Sequence, residues 1–351
     1  MLNHAPRRIA IPRHVLSAVA LVLTVISLAG CGLARPTAGS LEKRTGDEIV
    51  VAGQFFHTGT PVVLWMDPGG YDAYRIEKRF VPYDQSHWPD IKDTLDSPNR
   101  LNLRYKGKHF TPEQIEQIRG GGWPLDLLKD TVDQFVIHYD VCGVSWYTFK
   151  VLHDARCLSV HFMLDADGTI YQTLDLKERA WHAGKANDRS IGIEIANMGA
   201  YPLDNNETLA KWYQTQSDGS VKLTIPDPPG TFGIKRPENI TGPTRPYTVV
   251  GTINEHQVQQ YDLTPQQYDA LIKLTATLTK IFPKINNDYP RDDEGRLIQG
   301  ILTDEQFADF QGLIGHYHIK KSKIDPGPAF QWDYLVEQVE KEHQGWRFWR
   351  R

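Results

Sequence analysis

Apolar residues along this chain come mostly in short runs bounded by turn residues, with a few amphipathic stretches of helical period among them. Ile49–Ala52 and Val62–Met66 read as strands, separated by His57-Thr58-Gly59-Thr60-Pro61. Gln134–His138 is an apolar strand ending in histidine, and Ser145–His153 fits a helix. Ser159–Leu164 and Thr169–Leu174 flank Asp165-Ala166-Asp167-Gly168, a hairpin whose Asp-Gly pair supplies the positive φ such turns need. Ser190–Ile195 is a further strand, and Gly312–His316 is another that ends in histidine. Thr111-Pro112-Glu113-Gln114 opens a short helix that stops at Gly120-Gly121-Gly122: Thr is the N-cap, Pro follows it, and Gln sits three residues on. Thr264-Pro265-Gln266-Gln267 opens the clearest helix; Tyr268, Leu271, Ile272, Leu278 and Phe282 keep helical spacing, and Pro283 ends it. A last helix is expected from Ala329 to Lys341, and residues 201–246, rich in Pro, Gly, Asn and Thr, read as a long surface insertion. Strands interleaved with helices predict an α/β layer architecture.

The first residues carry a different signal. A basic segment ending at Arg13 precedes an apolar run from Val15 to Leu28, shorter than the roughly 20 residues of a spanning helix. Leu28-Ala29-Gly30-Cys31 follows and resembles a bacterial lipobox, so residues 1–30 are expected to be a signal peptide and Cys31 the site of lipidation. Gly32 rather than Asp follows that cysteine, which points to an outer-membrane lipoprotein facing the periplasm. Residues 31–46 then read as a tether. Of the three cysteines, Cys142 and Cys157 remain, a candidate disulfide in an exported protein.

Composition narrows the class. With 351 residues, 40% hydrophobic and 23% charged, the chain is neither largely disordered nor a polytopic membrane protein. The net charge is −4, and the first 30 residues contribute Arg7, Arg8, Arg13 and no acid, so the remainder carries −7. Such a chain offers no basic field for nucleic acid. No protein partner is implied.

Thirteen histidines in an exported chain invite a search for a metal site. His138 and His316 each end an apolar strand, and strand ends on one sheet converge across large sequence separations. Asp325, nine residues past His316, is fixed by Pro326 and Gly327. Two histidines and one carboxylate leave a fourth tetrahedral position open, the arrangement of catalytic zinc.

The stretches FVIHYD, SVHFMLDADGTIYQTLD, AWHAG, RSIGIEIAN and GHYHIKKSKIDPGPAFQW resemble, in this order, those of the zinc-dependent N-acetylmuramoyl-L-alanine amidases, the type 2 amidase family that includes peptidoglycan recognition proteins. The resemblance implies a mixed central β-sheet flanked by helices, with the zinc site at strand ends. It makes His138, His316 and Asp325 the metal ligands, Glu194 the residue acting on the zinc water, and Lys323 the cation facing the developing oxyanion. Trp181, His182 and His161 become candidate substrate contacts, although His161 could instead pair within the sheet. His318 is expected to face away from the metal, and His57, His153 and His256 receive no role.

The expected activity is zinc-dependent hydrolysis of the amide between N-acetylmuramic acid and L-alanine, in peptidoglycan or muropeptides. The alternatives are a peptidoglycan receptor without catalysis and a zinc hydrolase of another peptidoglycan amide. The catalytic domain is placed at residues 129–340, with 47–128 as an N-terminal extension of open role and 341–351 as a tail.

Overall fold

Alternation along two short strands decides which chemistry faces which layer. In the computed structural model, which describes residues 37–74, 104 and 110–348, β4 is Gln134–Tyr139 and β7 is Ser190–Ile195. Phe135 and Ile137 of β4 and Ile191, Ile193 and Ile195 of β7 all belong to one apolar cluster. Val136 and His138, and Gly192 and Glu194, therefore point to the opposite face, because successive strand side chains alternate. The two strands are parallel, with His138 opposite Glu194.

In chain order, a hairpin of β1 (Glu48–Val51) and β2 (Gln54–His57) comes first, then β3 (Val62–Leu64), α1 (Pro112–Gly121), α2 (Leu125–Thr131) and β4. Helix α3 (Ser145–Phe149) continues as π-helical turns over Lys150–Ala155. Strands β5 (Phe162–Leu164) and β6 (Ile170–Gln172) pair antiparallel about the expected turn, with Gly168 at φ 81°. After β7 come β8 (Tyr201–Pro202), α4 (Glu207–Trp212), β9 (Tyr213–Thr215), β10 (Val221–Leu223), β11 (Val249–Ile253) and β12 (His256–Gln260). The chain ends with α5 (Pro265–Ile281), α6 (Asp304–Asp309), β13 (Gly312–Gly315), α7 (His316–Ile319) and α8 (Trp332–Phe348).

The central sheet has the order β13-β4-β7-β5-β6-β3 and is mixed: only the β5–β6 pair is antiparallel. One face packs on α5 and α8 through Leu271, Leu274, Leu278, Leu335 and Val339. The α5 N-terminus is the expected capping box, Thr264 accepting from Gln267 N while the Gln267 side chain accepts from Thr264 N. On the other face, Val136 and Ile314 pack on Phe307 of α6 and Ile319 of α7, and Met163 and Tyr171 pack on Phe149 of α3.

Several boundaries differ from expectation. Residues 47–74 are no separate extension, since β3 joins the central sheet beside β6 and Ile49–Val51 enter the main core. The 201–246 segment has its own apolar cluster around Trp212, Tyr213, Val221 and Leu223, and β8 joins β11 and β12 in a second, three-stranded sheet. His316 opens α7 rather than ending β13, and α8 runs to Phe348, through most of the expected tail. Residues Met1–Arg44 form a unit of their own, of which 37–44 are described, mostly exposed, with a turn closed by Ser40 N donating to Thr37 O. Cys31 lies outside the described residues. Among the described residues no helix is long and apolar enough to cross a membrane.

Candidate active site

His138 reaches the site from the C-terminal end of β4, His316 from the first position of α7, and Asp325 from the irregular loop that follows. Asp325 Oδ2 lies 2.8 Å from His138 Nδ1 and 3.0 Å from His316 Nδ1. The three ligand atoms all fall within 4.8 Å of one another, and all three residues are buried. Burial alone would raise the Asp325 carboxyl, but the His316 charge and the hydrogen bonds from both histidines hold it far below the carboxylate range. Burial, reinforced by the nearby His316, lowers His138 to about 4, so it is a neutral imidazole with a lone pair at neutral pH. Two imidazole nitrogens and a carboxylate oxygen converging in this way suit zinc.

A cavity of about 310 Å³ opens on this triad. Glu194 lines it from β7, and its Oε2 is shielded from solvent with no hydrogen-bond partner among the described residues. Burial, then the charges of Asp325 and Asp140, push the Glu194 carboxyl well above its ordinary value. Lys323 and Arg156 are the cations in the lining, and Trp181 contributes an aromatic wall with the Arg179 guanidinium 4.8 Å from its ring centroid.

The histidines sort by their partners. His182 also touches the cavity, yet its polar atoms are turned inward: Nδ1 lies 3.0 Å from His138 Nε2, and Nε2 lies 3.3 Å from Ser190 Oγ. Gly192 makes room for its ring, because a Cβ there would lie 2.5 Å from His182 Nδ1 and Cε1. His161, the other candidate substrate contact, does not line the cavity. It is fully buried outside the cavity lining, where Nδ1 accepts from Gly192 N (3.0 Å) and Nε2 faces Glu178 O (3.0 Å) and the Arg104 guanidinium (2.6 Å). His161 directly precedes β5, and these contacts with Gly192, Glu178 and Arg104 take up both of its ring nitrogens. His318 is turned away as expected, accepting from Gly315 N and facing Ile298 O. His57 bonds Asp47, and His153 stacks on Phe149. Asp47, Glu48 and His57 also cluster, but their carboxylate oxygens are taken up by Thr45, Gly46, Gly59 and His57 itself.

The expected disulfide is not formed: Cys142 and Cys157 are free thiols. Cys142 lines the cavity in a turn tied to Asp140, whereas Cys157 closes the π-helical segment at φ 51° and does not line the cavity.

Four contributors escaped sequence reasoning. Asp140 receives N–H groups from Cys142, Gly143 and Asn197, fixing the cavity rim just past His138. Arg156 adds a cation to the cavity. Arg104, fully buried, donates to Ser190 O and Asn187 O behind the sheet. The β11–β12 hairpin lies against the loop that carries Lys323 and Asp325. Asp140 was legible as part of FVIHYD; for the other three, no local pattern gives the long-range contact.

A profile described as N-acetylmuramoyl-L-alanine amidase matches residues 128–328. Among curated proteins, the chain is similar to the 1,6-anhydro-N-acetylmuramyl-L-alanine amidase AmpD of Haemophilus influenzae, with 22% identity over 251 residues, covering 69% of this chain and 85% of that protein. Among solved structures, similarity extends to a selenomethionine derivative of AmpD, with 19% identity, TM-score 0.33, and coverage of 60% of this chain and 86% of that one. It extends also to AmiD from E. coli in complex with anhydro-N-acetylmuramic acid-L-Ala-D-gamma-Glu-L-Lys, with 20% identity, TM-score 0.33, and coverage of 62% of this chain and 59% of that one.

Proposed function

The chain belongs to the N-acetylmuramoyl-L-alanine amidase family, and from that premise we propose that it is a zinc hydrolase cleaving the amide between N-acetylmuramic acid and L-alanine in peptidoglycan or its muropeptides. One observation carries the reading: His138, His316 and Asp325 converge within 4.8 Å in the lining of a cavity also lined by Glu194, whose shielded Oε2 has no hydrogen-bond partner among the described residues. A receptor that binds without cutting has no need of a shielded acid–base group beside three metal donors.

His138 Nδ1, His316 Nδ1 and the Asp325 carboxylate would hold the metal. When bound, zinc supplies a water made nucleophilic at neutral pH and a Lewis acid for the scissile carbonyl. Glu194, its pKa raised, takes the proton of the attacking water and passes it to the departing L-alanine nitrogen. Lys323 places a positive charge in the same cavity, where the carbonyl oxygen gains negative charge. Asp140 and Thr148 hold the rim, and Trp181 offers a flat apolar surface for a sugar ring or lactyl group. The lipid anchor at Cys31, and with it a periplasmic face of the outer membrane, belongs to the same proposal and rests on the lipobox alone.

Mass spectrometry of products from intact sacculi and from soluble muropeptides tests the activity, together with zinc analysis of the same preparation. Free peptides beginning with L-alanine, and zinc near one per chain that a chelator removes with loss of activity, are the expected results. Cleavage within the peptide stem would move the reading to another amide, and binding of muropeptide without any product would make the chain a receptor.

A further inference from the structure

The loop that delivers Lys323 and Asp325 has no regular secondary structure of its own between α7 and α8. Tyr317 N of α7 donates to Asp325 O at 3.1 Å, and within the loop Lys323 N donates to Lys320 O at 2.9 Å. The remaining constraint comes from elsewhere in the chain. Asn254, in the turn of the β11–β12 hairpin at φ 47° and only 6% exposed, donates through Nδ2 to Lys323 O at 2.9 Å and to Tyr317 O at 3.0 Å, while its Oδ1 accepts from Ile301 N at 2.8 Å. Gln260, at the other end of the hairpin and 1% exposed, donates through Nε2 to Pro326 O at 3.0 Å and to Asn197 Oδ1 at 3.2 Å, and accepts from Ala329 N at 3.1 Å. The fit leaves no slack. A Cβ on Gly327 would lie 2.0 Å from Gln260 Oε1, and one on Gly251 would lie 2.6 Å from Pro328 Cβ.

We infer that the β11–β12 hairpin is a brace that positions the catalytic loop, with Asn254 fixing the main chain at Lys323 and Gln260 fixing it just past Asp325. The physical basis is the cost of misplacement. A shift of about 1 Å in a catalytic group costs on the order of 10²-fold in rate, and an irregular loop of this length does not set its geometry without outside contacts. Asn254 spends both amide donors on backbone carbonyls, and Gln260 spends one on Pro326 O and the other on Asn197 Oδ1 while its oxygen accepts from Ala329 N. Replacing the amide by a carboxylate keeps shape and acceptor oxygen but removes the donors and sets a negative oxygen against those carbonyls. Asn254 and Gln260 are positioning residues, since they touch the loop and not the cavity. The catalytic consequence rests on the amidase reading above; the positioning itself does not.

The test uses the full chain with Asn254→Asp and Gln260→Glu, and reads hydrogen exchange by mass spectrometry alongside kinetics and zinc affinity. Exchange in peptides covering residues 317–328 should quicken by about tenfold or more, while peptides from β4 and β7 stay at the parent rate. On a muramoyl-peptide, kcat should fall about tenfold or more with KM nearly unchanged. Gln260→Glu, nearer Asp325, should also weaken zinc binding in chelator competition. Should Asn254→Asp fail to fold, Asn254→Gly suits the left-handed backbone and removes the same donors. Parent-like exchange over 317–328 in the variants overturns the brace, and so does exchange quickened uniformly along the chain, which would mark general destabilisation. If the parent protein hydrolyses no muropeptide but the local exchange change appears, the amidase reading fails and the brace stands.

Discussion

Nε2 of His138 lies 3.0 Å from Nδ1 of His182, on the side of the ring opposite the 2.8 Å contact between His138 Nδ1 and Asp325. A His138 that offers its Nδ1 lone pair carries its proton on Nε2 and donates it to His182. His182 then carries its own proton on Nε2, directed to Ser190 Oγ at 3.3 Å. Contacts on both ring nitrogens fix the orientation of His138, and with Nδ1 given to a metal the same contacts would set the Nε2–H tautomer. His182 thus supports the His138 ring through one nitrogen while it borders the cavity.

His182→Ala should lower zinc affinity by about 10–100-fold, the usual cost of losing such a supporting partner, with KM for a muramoyl-peptide little changed once zinc is saturating. Chelator competition measures the affinity. An unchanged zinc affinity with a large rise in KM would return His182 to substrate binding.

Glu194→Gln keeps the shape and one acceptor of a side chain whose Oε2 is shielded and unpartnered. It removes proton transfer, which should cost about 10²–10⁴ in kcat/KM. Zinc content should stay at the parent level, because Glu194 is not among the converging ligand atoms. Measuring rate and zinc on one preparation separates this from ligand loss, which lowers both. A variant within a few-fold of the parent with zinc retained would move the acid–base role to another group lining the cavity, Tyr139 being nearest along β4.

Short runs dominated by apolar residues made β4 and β7 legible, and their histidine and glutamate share a face because both residues occupy the same parity in parallel strands. Thr264 and Thr111 announced their helices through capping boxes that the structure contains. The α7 turn was not legible: one turn after a β-strand carries too few residues to show a period, so His316 read as a strand residue. The place of His161 outside the cavity lining was not legible for a related reason. Burial among Arg104, Glu178 and Gly192 depends on partners 57, 17 and 31 positions away, which local spacing does not encode. The β11–β12 hairpin carries alternating exposure through Val249–Ile253 but sits beside a segment so rich in turn residues that its strands were masked.

The signal segment and Cys31 make a separable prediction. Cys31→Ala should leave the protein unlipidated and released from the membrane fraction, with kcat/KM on soluble muropeptides unchanged, since every cavity residue lies within 138–325. Fractionation with labelled fatty acid reads the first outcome. Unaltered membrane association of Cys31→Ala would remove the lipid anchor from the proposal.

Asp165 supplies a pH test of the cavity wall. Its Oδ1 accepts from Ser145 N at 2.6 Å, at the start of α3, whose continuation carries Val151, Leu152 and Arg156 into the cavity lining. Oδ2 has no partner among the described residues. Burial, opposed by the Ser145 hydrogen bonds, raises the carboxyl to about 7, against about 3.9 in an unfolded chain. The sign follows from proton uptake: between those values the folded state holds the proton more tightly than the unfolded state, so stability is greatest below pH 4 for this group and is lost as pH rises to 7. The gap of about three pH units corresponds to up to about 4 kcal/mol. Asp165→Asn removes the titration while keeping an acceptor for Ser145 N. The stability difference between variant and parent should therefore shift in favour of the variant as pH rises from 4 to 7, and flatten above it. Urea unfolding of both proteins at several pH values gives that difference directly. Parallel pH profiles for the two would mean that Asp165 stays ionised in the fold and that the α3 wall is held by an anion rather than by a protonated carboxyl.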